Sequence, residues 1–455
     1  MMYRQKKYNQ FQRNPRWRQP EPATPSPAPP FGPLVETVDI AELSKPATQF
    51  EGSARVTGCE LVASYNWLDR TTPSVLIPGA PPRWTPLAEP QKLSEDSGIY
   101  YRDKNAARYP AHPMEPAAQA VLTMHPEPFT KPVDIVGCGS TIGNLLRFVR
   151  GDERPFRILV EVVGGAVHLI RRENSPTETI PSVRGFGHTF PEAYTTWDAS
   201  VRGSASHQRV LRYDFGGLSC IVRHEGDGYL KDKLGSSSNG ARLVNNEKGS
   251  VDALIEGLGA SEMDTKAPRH SSQLCLQSGG FQVPQPAVFD LKTRSILRKD
   301  KDFLGEELPR LWVAQTPNFI LAYHERGTFT EIDVMDASEK VKTWEKTMNR
   351  ELSQLAALLH RIVGLARASH DGILEISRQV LSTLDVREQC PGLSPAFSVD
   401  VMARWKDWLA SDVKSGVSDA DNKEKEEEDE FLWSVDDGNY TACSEQCSYC
   451  GKCTY

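Results

Sequence analysis

No stretch of the 455 residues approaches the roughly 18–20 consecutive apolar side chains that a membrane-spanning helix needs. An amino terminus of the export type, charged and then apolar, is also missing, so the expected setting is soluble and intracellular, with no membrane partner. Excess positive charge is lacking as well. Lys and Arg number 53 against 60 Asp and Glu, a formal charge of −7, which excludes a protein that coats nucleic acid by bulk charge. No internal repeat is visible. What is present is 39% hydrophobic and 25% charged residues, enough to bury a substantial core. The length is about three times the ~150-residue domain prior, which one large domain with tails also satisfies.

The composition changes along the chain. Residues 1–35 carry Arg4, Lys6, Lys7, Arg13, Arg16 and Arg18, followed by a Pro/Ala/Ser run. So few apolar side chains cannot offset the ordering entropy, and a disordered basic arm is expected. A solvated tail and an RNA-tethering or nuclear-import segment are both open readings of it. Residues 231–280 are rich in Ser, Gly, Asn and Asp and read as a flexible surface insertion. Residues 386–430 read as a linker that closes on Glu424, Glu426, Glu427, Glu428, Asp429 and Glu430, a like-charge run that stays extended. The main folded body is therefore expected over 50–370.

Within that body strands and helices alternate. Val133–Val136 is short and β-branched. Arg157–Val163 and Ala166–Arg171 flank Gly164-Gly165, a strong hairpin signal. Leu218–Arg223, Ala287–Leu291 and Thr330–Val334 are further strands. Glu306–Tyr323 holds a helix and then a strand, broken near Pro317. Apolar residues from Val341 through Trp344, Met348, Leu352, Leu355, Leu359, Ile362 and Leu365 recur at three- and four-residue spacing. They predict one long amphipathic helix, capped by Asp336 or Ser338. The fold class is α+β.

A strand entering Gly137-Cys138-Gly139-Ser140-Thr141-Ile142-Gly143 has the form of a dinucleotide or methyl-donor turn, with Glu161 at about the expected distance. The tight hairpin that follows leaves no room for the crossover helix of a parallel βαβ unit. A plain turn is the simpler reading, and a methyltransferase is kept as an alternative.

Carboxylates make a second pattern. Residues two apart in extended chain share a face, which pairs Glu225 with Asp227 and Asp290 with Lys292. Two carboxylates from neighbouring strands suit Mg²⁺ or Mn²⁺, hard cations that leave positions for water and phosphate. A lysine beside them can hold the attacking water or balance charge on phosphoryl oxygens. Glu192 offers a third carboxylate from a helix start, and Gln315 a group that orients water or substrate. Surface salt bridges and turns explain each piece alone. Their order (acid on a helix, acidic strand end, acid-x-Lys strand, helix with Gln) is the layout of PD-(D/E)XK nucleases.

Over roughly 130–350 the sequence resembles the DXO-type decapping nucleases, whose nuclear members partner the main 5′-to-3′ exoribonuclease. The family's Gly-Tyr-Lys-Phe-Glu is similar to Gly187–Glu192 with one residue inserted. Its Glu-x-Asp corresponds to Glu225 and Asp227, and its Glu-Leu-Lys-Thr to Asp290-Leu291-Lys292-Thr293. Its Trp-x-Gln resembles Trp312-Val313-Ala314-Gln315 with one extra residue. Its Arg-Gly-x-Leu-Thr-Lys-Leu-Leu resembles Cys138–Leu146, which accounts for the glycines without a nucleotide. The resemblance implies a central mixed β-sheet flanked by helices and a hydrolase of RNA 5′ ends. Such enzymes remove incomplete, non-canonical or NAD caps, or pyrophosphate from triphosphate ends, and some degrade the RNA 5′ to 3′.

By the same resemblance Glu192, Asp227, Asp290 and the backbone carbonyl of Leu291 would bind two metal ions. Glu225, Lys292 and Gln315 would serve catalysis, and Arg223, Arg294 and Arg310 would contact RNA phosphate. An exoribonuclease partner and a nuclear location are also implied. The chain departs from the pattern at Cys138, where the family has Arg, and at Asp290, where it has Glu. A catalytically degenerate RNA- or exoribonuclease-binding subunit is therefore the alternative.

Of nine cysteines, five are dispersed, as in a reducing compartment. Cys443, Cys447, Cys450 and Cys453 form C-x₃-C-x₂-C-x₂-C within 440–455. Four close thiolates suit a structural tetrahedral Zn²⁺, with an iron–sulfur cluster and chance clustering as the other readings.

Overall fold

The structure is a computed structural model, and it describes residues 26–181, 183–235 and 273–410. Most of the basic arm, most of the expected insertion, the acidic run and all four terminal cysteines lie outside the described residues.

Among the described residues a mixed sheet of eleven strands forms the centre. Its order is Leu34–Asp39, Thr383–Glu388, Ile373–Arg378, Phe156–Val163, Ala166–Arg172, Ile135–Cys138, Leu218–Glu225, Ser204–Phe215, Thr57–Leu68, Ser74–Gly79 and Cys275–Gly280. Six shorter strands make a second sheet, in the order Thr328–Asp336, Asn318–Glu325, Val288–Ser295, Gly228–Tyr229, Arg83–Trp84 and Thr195–Thr196. Helices cover both faces of the large sheet, which is the α+β architecture expected. One face packs against Gly139–Val149 and Asn349–Ala368 through Leu145, Leu146, Phe148, Leu352, Leu355 and Leu359. The other packs against Glu115–Met124 and Val399–Ala410 through Ala117, Val121, Trp405 and Trp408. Burial on both faces explains why Phe156–Val163 reads as a nearly continuous apolar run rather than an alternating one. Among the described residues no helix is long and apolar enough to cross a membrane.

Local readings and observed elements agree where turn chemistry was explicit. Gly164 and Gly165 have φ of +58° and +82°, and the hairpin closes with Val163 opposite Ala166. Pro317 falls between the helix Phe303–Ala314 and the strand Asn318–Glu325. The expected single long helix is instead two, Ser338–Thr347 and Asn349–Ala368, parted at Met348 (φ −91°, ψ 20°). The apolar stripe runs through the break because both segments face the same core. The cap position of the first is Ala337 rather than the expected Asp336 or Ser338, although the Asp336 carboxylate accepts the Ser338 N–H at 3.0 Å just ahead of it.

The folded body is also longer than 50–370. Residues 34–39 and 373–388 add three strands to the sheet, and Val399–Ala410 is a packed helix, so the linker expected from 386 is structured as far as 410. The last residues of the expected insertion, Cys275–Gly280, form an edge strand parallel to Ser74–Gly79.

Candidate active site

One cleft of about 330 Å³ opens beside the ends of Ile135–Cys138 and Leu218–Glu225 and reaches the second sheet. Its lining includes Glu192, Glu225, Asp227, Asp290, Leu291 and Lys292, residues that span a hundred positions of sequence.

Local structure explains how they meet. The strand Leu218–Glu225 ends at Glu225, and the Gly226 N–H donates to the His207 carbonyl at 3.0 Å, turning the chain. Gly228 then pairs with Phe289, and a Cβ there would lie 2.3 Å from the Phe289 ring. Only glycine permits that approach, which sets Asp227 against the strand carrying Asp290. The Asp227 carboxylate accepts the Leu291 N–H at 2.8 Å. Glu192 lies on the short helix Thr189–Tyr194, whose start is held by Asp96. That carboxylate accepts from the His188 N–H at 3.1 Å and the Thr189 N–H at 2.9 Å.

The electrostatics of the cleft centre on two carboxylates that repel each other. Asp227 keeps a partly exposed edge, but burial first, and the Asp290 charge second, push its carboxyl up to about 7. Arg310 answers that negative charge. Its Nη2 lies on Asp290 Oδ1, and its Nε donates to Glu307 Oε2 at 2.7 Å. Burial opposes the charge on Glu307, yet Arg310, Lys292 and Arg294 hold its carboxyl down to about 2. At the rim, Lys104 bonds Glu225 at 2.9 Å, and the Tyr100 and His188 rings stack with centroids 3.8 Å apart. Burial, then the Lys104 charge, lowers the His188 imidazole below its ordinary value.

Two of the three arginines singled out from sequence line the cleft, Arg223 and Arg310. Arg294 does not; it turns to Glu307 and lies over the Phe303 ring. Gln315 does not line it either. It ends the helix Phe303–Ala314 in a left-handed conformation (φ 48°), and its amide turns back to the Trp312 carbonyl. Cys138 does line the cleft, its thiol 3.0 Å from Ser140 Oγ, and Arg223 is its neighbour across the parallel strand pair. Arg171 lines the cleft too, so cations stand near the position where the resembled family has arginine. Gly137 packs the strand against the following helix: a Cβ there would come within 3.1 Å of Thr141 Oγ1.

Lys104, Arg171, His188 and Glu307 escaped the sequence reading. Only Glu307 left a signal, an acid three residues before Arg310 on one helix face.

As donors for a metal, the carboxylates and the Leu291 carbonyl are hard oxygens around an acidic pair short of positive charge, and in chemistry they fit Mg²⁺ or Mn²⁺. Among the described residues, no group of three or more His, Cys, Asp or Glu is drawn together closely enough to hold an ion. Arg310 supplies the positive charge beside Asp290 instead.

The chain shares its fold with a solved structure, at a level of identity that speaks for the fold alone. Rai1 of Scheffersomyces stipitis in complex with (3′-NADP)⁺ and calcium ion superposes with a TM-score of 0.52 at 10% identity, covering 84% of this chain and all of that one. Rai1 of S. pombe in complex with 3′-FADP gives 0.47 at 10% identity, covering 78% of this chain and all of that one. Dxo1 of K. lactis in complex with manganese gives 0.42 at 9%, covering 80% and 96%. No curated protein matches the sequence. The chain belongs to the family described as Domain of unknown function (DUF8563), whose model matches residues 40–372.

Proposed function

We propose that this protein is a divalent-metal-dependent hydrolase acting on RNA 5′ ends. The observation that carries the reading is the convergence of Glu192, Glu225, Asp227, Asp290 and Lys292 on one cleft. The fold adds support, since the S. stipitis Rai1 that shares it binds a dinucleotide and a divalent ion.

In this reading Asp227, Asp290, Glu192 and the Leu291 carbonyl would hold the metal, which supplies Lewis-acid charge for attacking and leaving oxygens. Lys292, buried among carboxylates, holds a phosphoryl oxygen of the substrate. Glu225, partly exposed and tied to Lys104, takes the proton of the attacking water. Arg171 and Arg223 receive phosphate at the Cys138 end. Removal of incomplete or NAD caps, release of pyrophosphate and stepwise 5′-to-3′ degradation all need this same phosphoryl chemistry.

The test is incubation with Mn²⁺ and RNAs bearing 5′-triphosphate, methylated and unmethylated caps or an NAD cap, beside an Asp227→Ala/Asp290→Ala control. Cleavage that disappears in the control is the expected result. One observation favours a second reading, a non-catalytic RNA-binding subunit: the Asp290 carboxylate is already paired with Arg310. Tight RNA binding without cleavage of any of these ends would establish that reading and reject the first.

A further inference from the structure

The ion triad at the back of the cleft has an unusual feature, a permanent cation seated on a carboxylate read above as a metal ligand. Arg310 is held from two sides, by Glu307 at its Nε and by Asp290 at its Nη2. All three side chains are largely buried, at 15%, 5% and 9% exposure. Glu307 precedes Arg310 by three residues on the helix Phe303–Ala314, so the guanidinium is aimed by its own helix rather than by chance contact. A guanidinium stays charged at any working pH, so it cannot leave Asp290 by losing a proton.

We propose that Arg310 is a resident counter-cation of the acidic pair, which a divalent ion must displace from Asp290 in order to enter. The inference rests on the metal-dependent reading above. Before entry, Arg310 balances Asp290. On entry, the guanidinium swings off Asp290 while its Nε stays on Glu307. It keeps its place in the cleft lining and presents its Nη groups to an anion there. Metal entry and capture of a phosphate group are then one linked event, each favouring the other.

If Asp290 is free of Arg310 only a tenth of the time, the apparent metal affinity is about tenfold below that of an unobstructed site. Mn²⁺ binding to the full-length protein, without RNA, is measured by the electron-spin resonance signal of free Mn²⁺. Wild type, Asp290→Ala, Arg310→Gln, Arg310→Lys and Arg310→Gln/Asp290→Ala are compared, and thermal melts report folding. The expected result is about tenfold tighter binding in Arg310→Gln and a smaller gain in Arg310→Lys. The gain should vanish in the double variant. Equal or weaker binding in Arg310→Gln, with wild type binding Mn²⁺ at Asp290, overturns the role of Arg310 and leaves the metal reading standing. Mn²⁺ binding that is indifferent to Asp290→Ala in every background overturns both. Arg310→Lys carries the test if Arg310→Gln does not fold.

Discussion

Removing the carboxylate that anchors the cleft's cations should cost the fold more than removing any single cation. Glu307 is 4% exposed and faces Arg310, Arg294 and Lys292. Its carboxyl is held at about 2 against an ordinary 4.5. That difference corresponds to roughly 3 kcal/mol of native-state stability at neutral pH. Glu307→Gln keeps the volume and part of the hydrogen bonding, so the loss reports the charge rather than a cavity. The same loss leaves buried cations without their counter-charge, for which a cost of about 3–5 kcal/mol is typical, so the two estimates describe one interaction.

The pH dependence carries a sign that packing alone would not. A carboxyl depressed on folding stabilises the protein fully above its unfolded value of 4.5, and the contribution fades as pH falls toward 2. Urea unfolding of wild type and Glu307→Gln should therefore differ by roughly 3 kcal/mol at pH 7 and by less at pH 4, with the gap closing further in acid. Urea is the denaturant of choice because an ionic one would screen the interaction. Equal stability at pH 7, or a gap that widens on acidification, would refute the electrostatic account.

Asp227→Asn should stabilise the metal-free protein. A carboxyl raised to about 7 on folding favours the folded state below its ordinary 3.8 and loses that advantage as pH rises through 7. Melts in chelator at pH 5 and pH 8 should show the variant's lead growing with pH, while its RNA hydrolysis is abolished; a lead that shrinks with pH contradicts this. Asp96→Ala removes the acceptor at the start of the helix that carries Glu192. It should lower stability by only about 1 kcal/mol, yet cut RNA hydrolysis by roughly ten- to a hundredfold by misplacing Glu192. Loss of activity no larger than the loss of folded protein would remove Asp96 from any positioning role.

The features legible in the sequence were those encoded by short spacing. Glu225 with Asp227, and Asp290 with Lys292, sit two apart, and extended backbone converts that spacing into a shared face without help from the rest of the fold. Gly164-Gly165 names its own turn because both residues need positive φ. The paired helices around Met348 show the limit of the same reasoning. Periodicity reports which face is buried, and it passes through a change of axis when both segments pack on one core. The strand Cys275–Gly280 shows another limit, since its Ser and Gly carry no strand preference and its place comes from pairing with Ser74–Gly79.

Glu307 and Arg310 mark the deepest gap between pattern and structure. Three residues apart on a helix, an acid and a base read as a solvated surface pair worth a few tenths of a kcal/mol. Their energetic weight arises because Asp290, from a strand fixed by parallel pairing with Asn318–Glu325, arrives opposite them and excludes water. The same pair of residues is then a buried triad rather than a surface ornament, and burial decides which. For a cleft that must hold concentrated negative charge before any ligand arrives, an internal cation is the cheapest neutral state. The site that best reveals its chemistry through paired acids is therefore also the one whose counter-charge stays hidden until the strands are assembled.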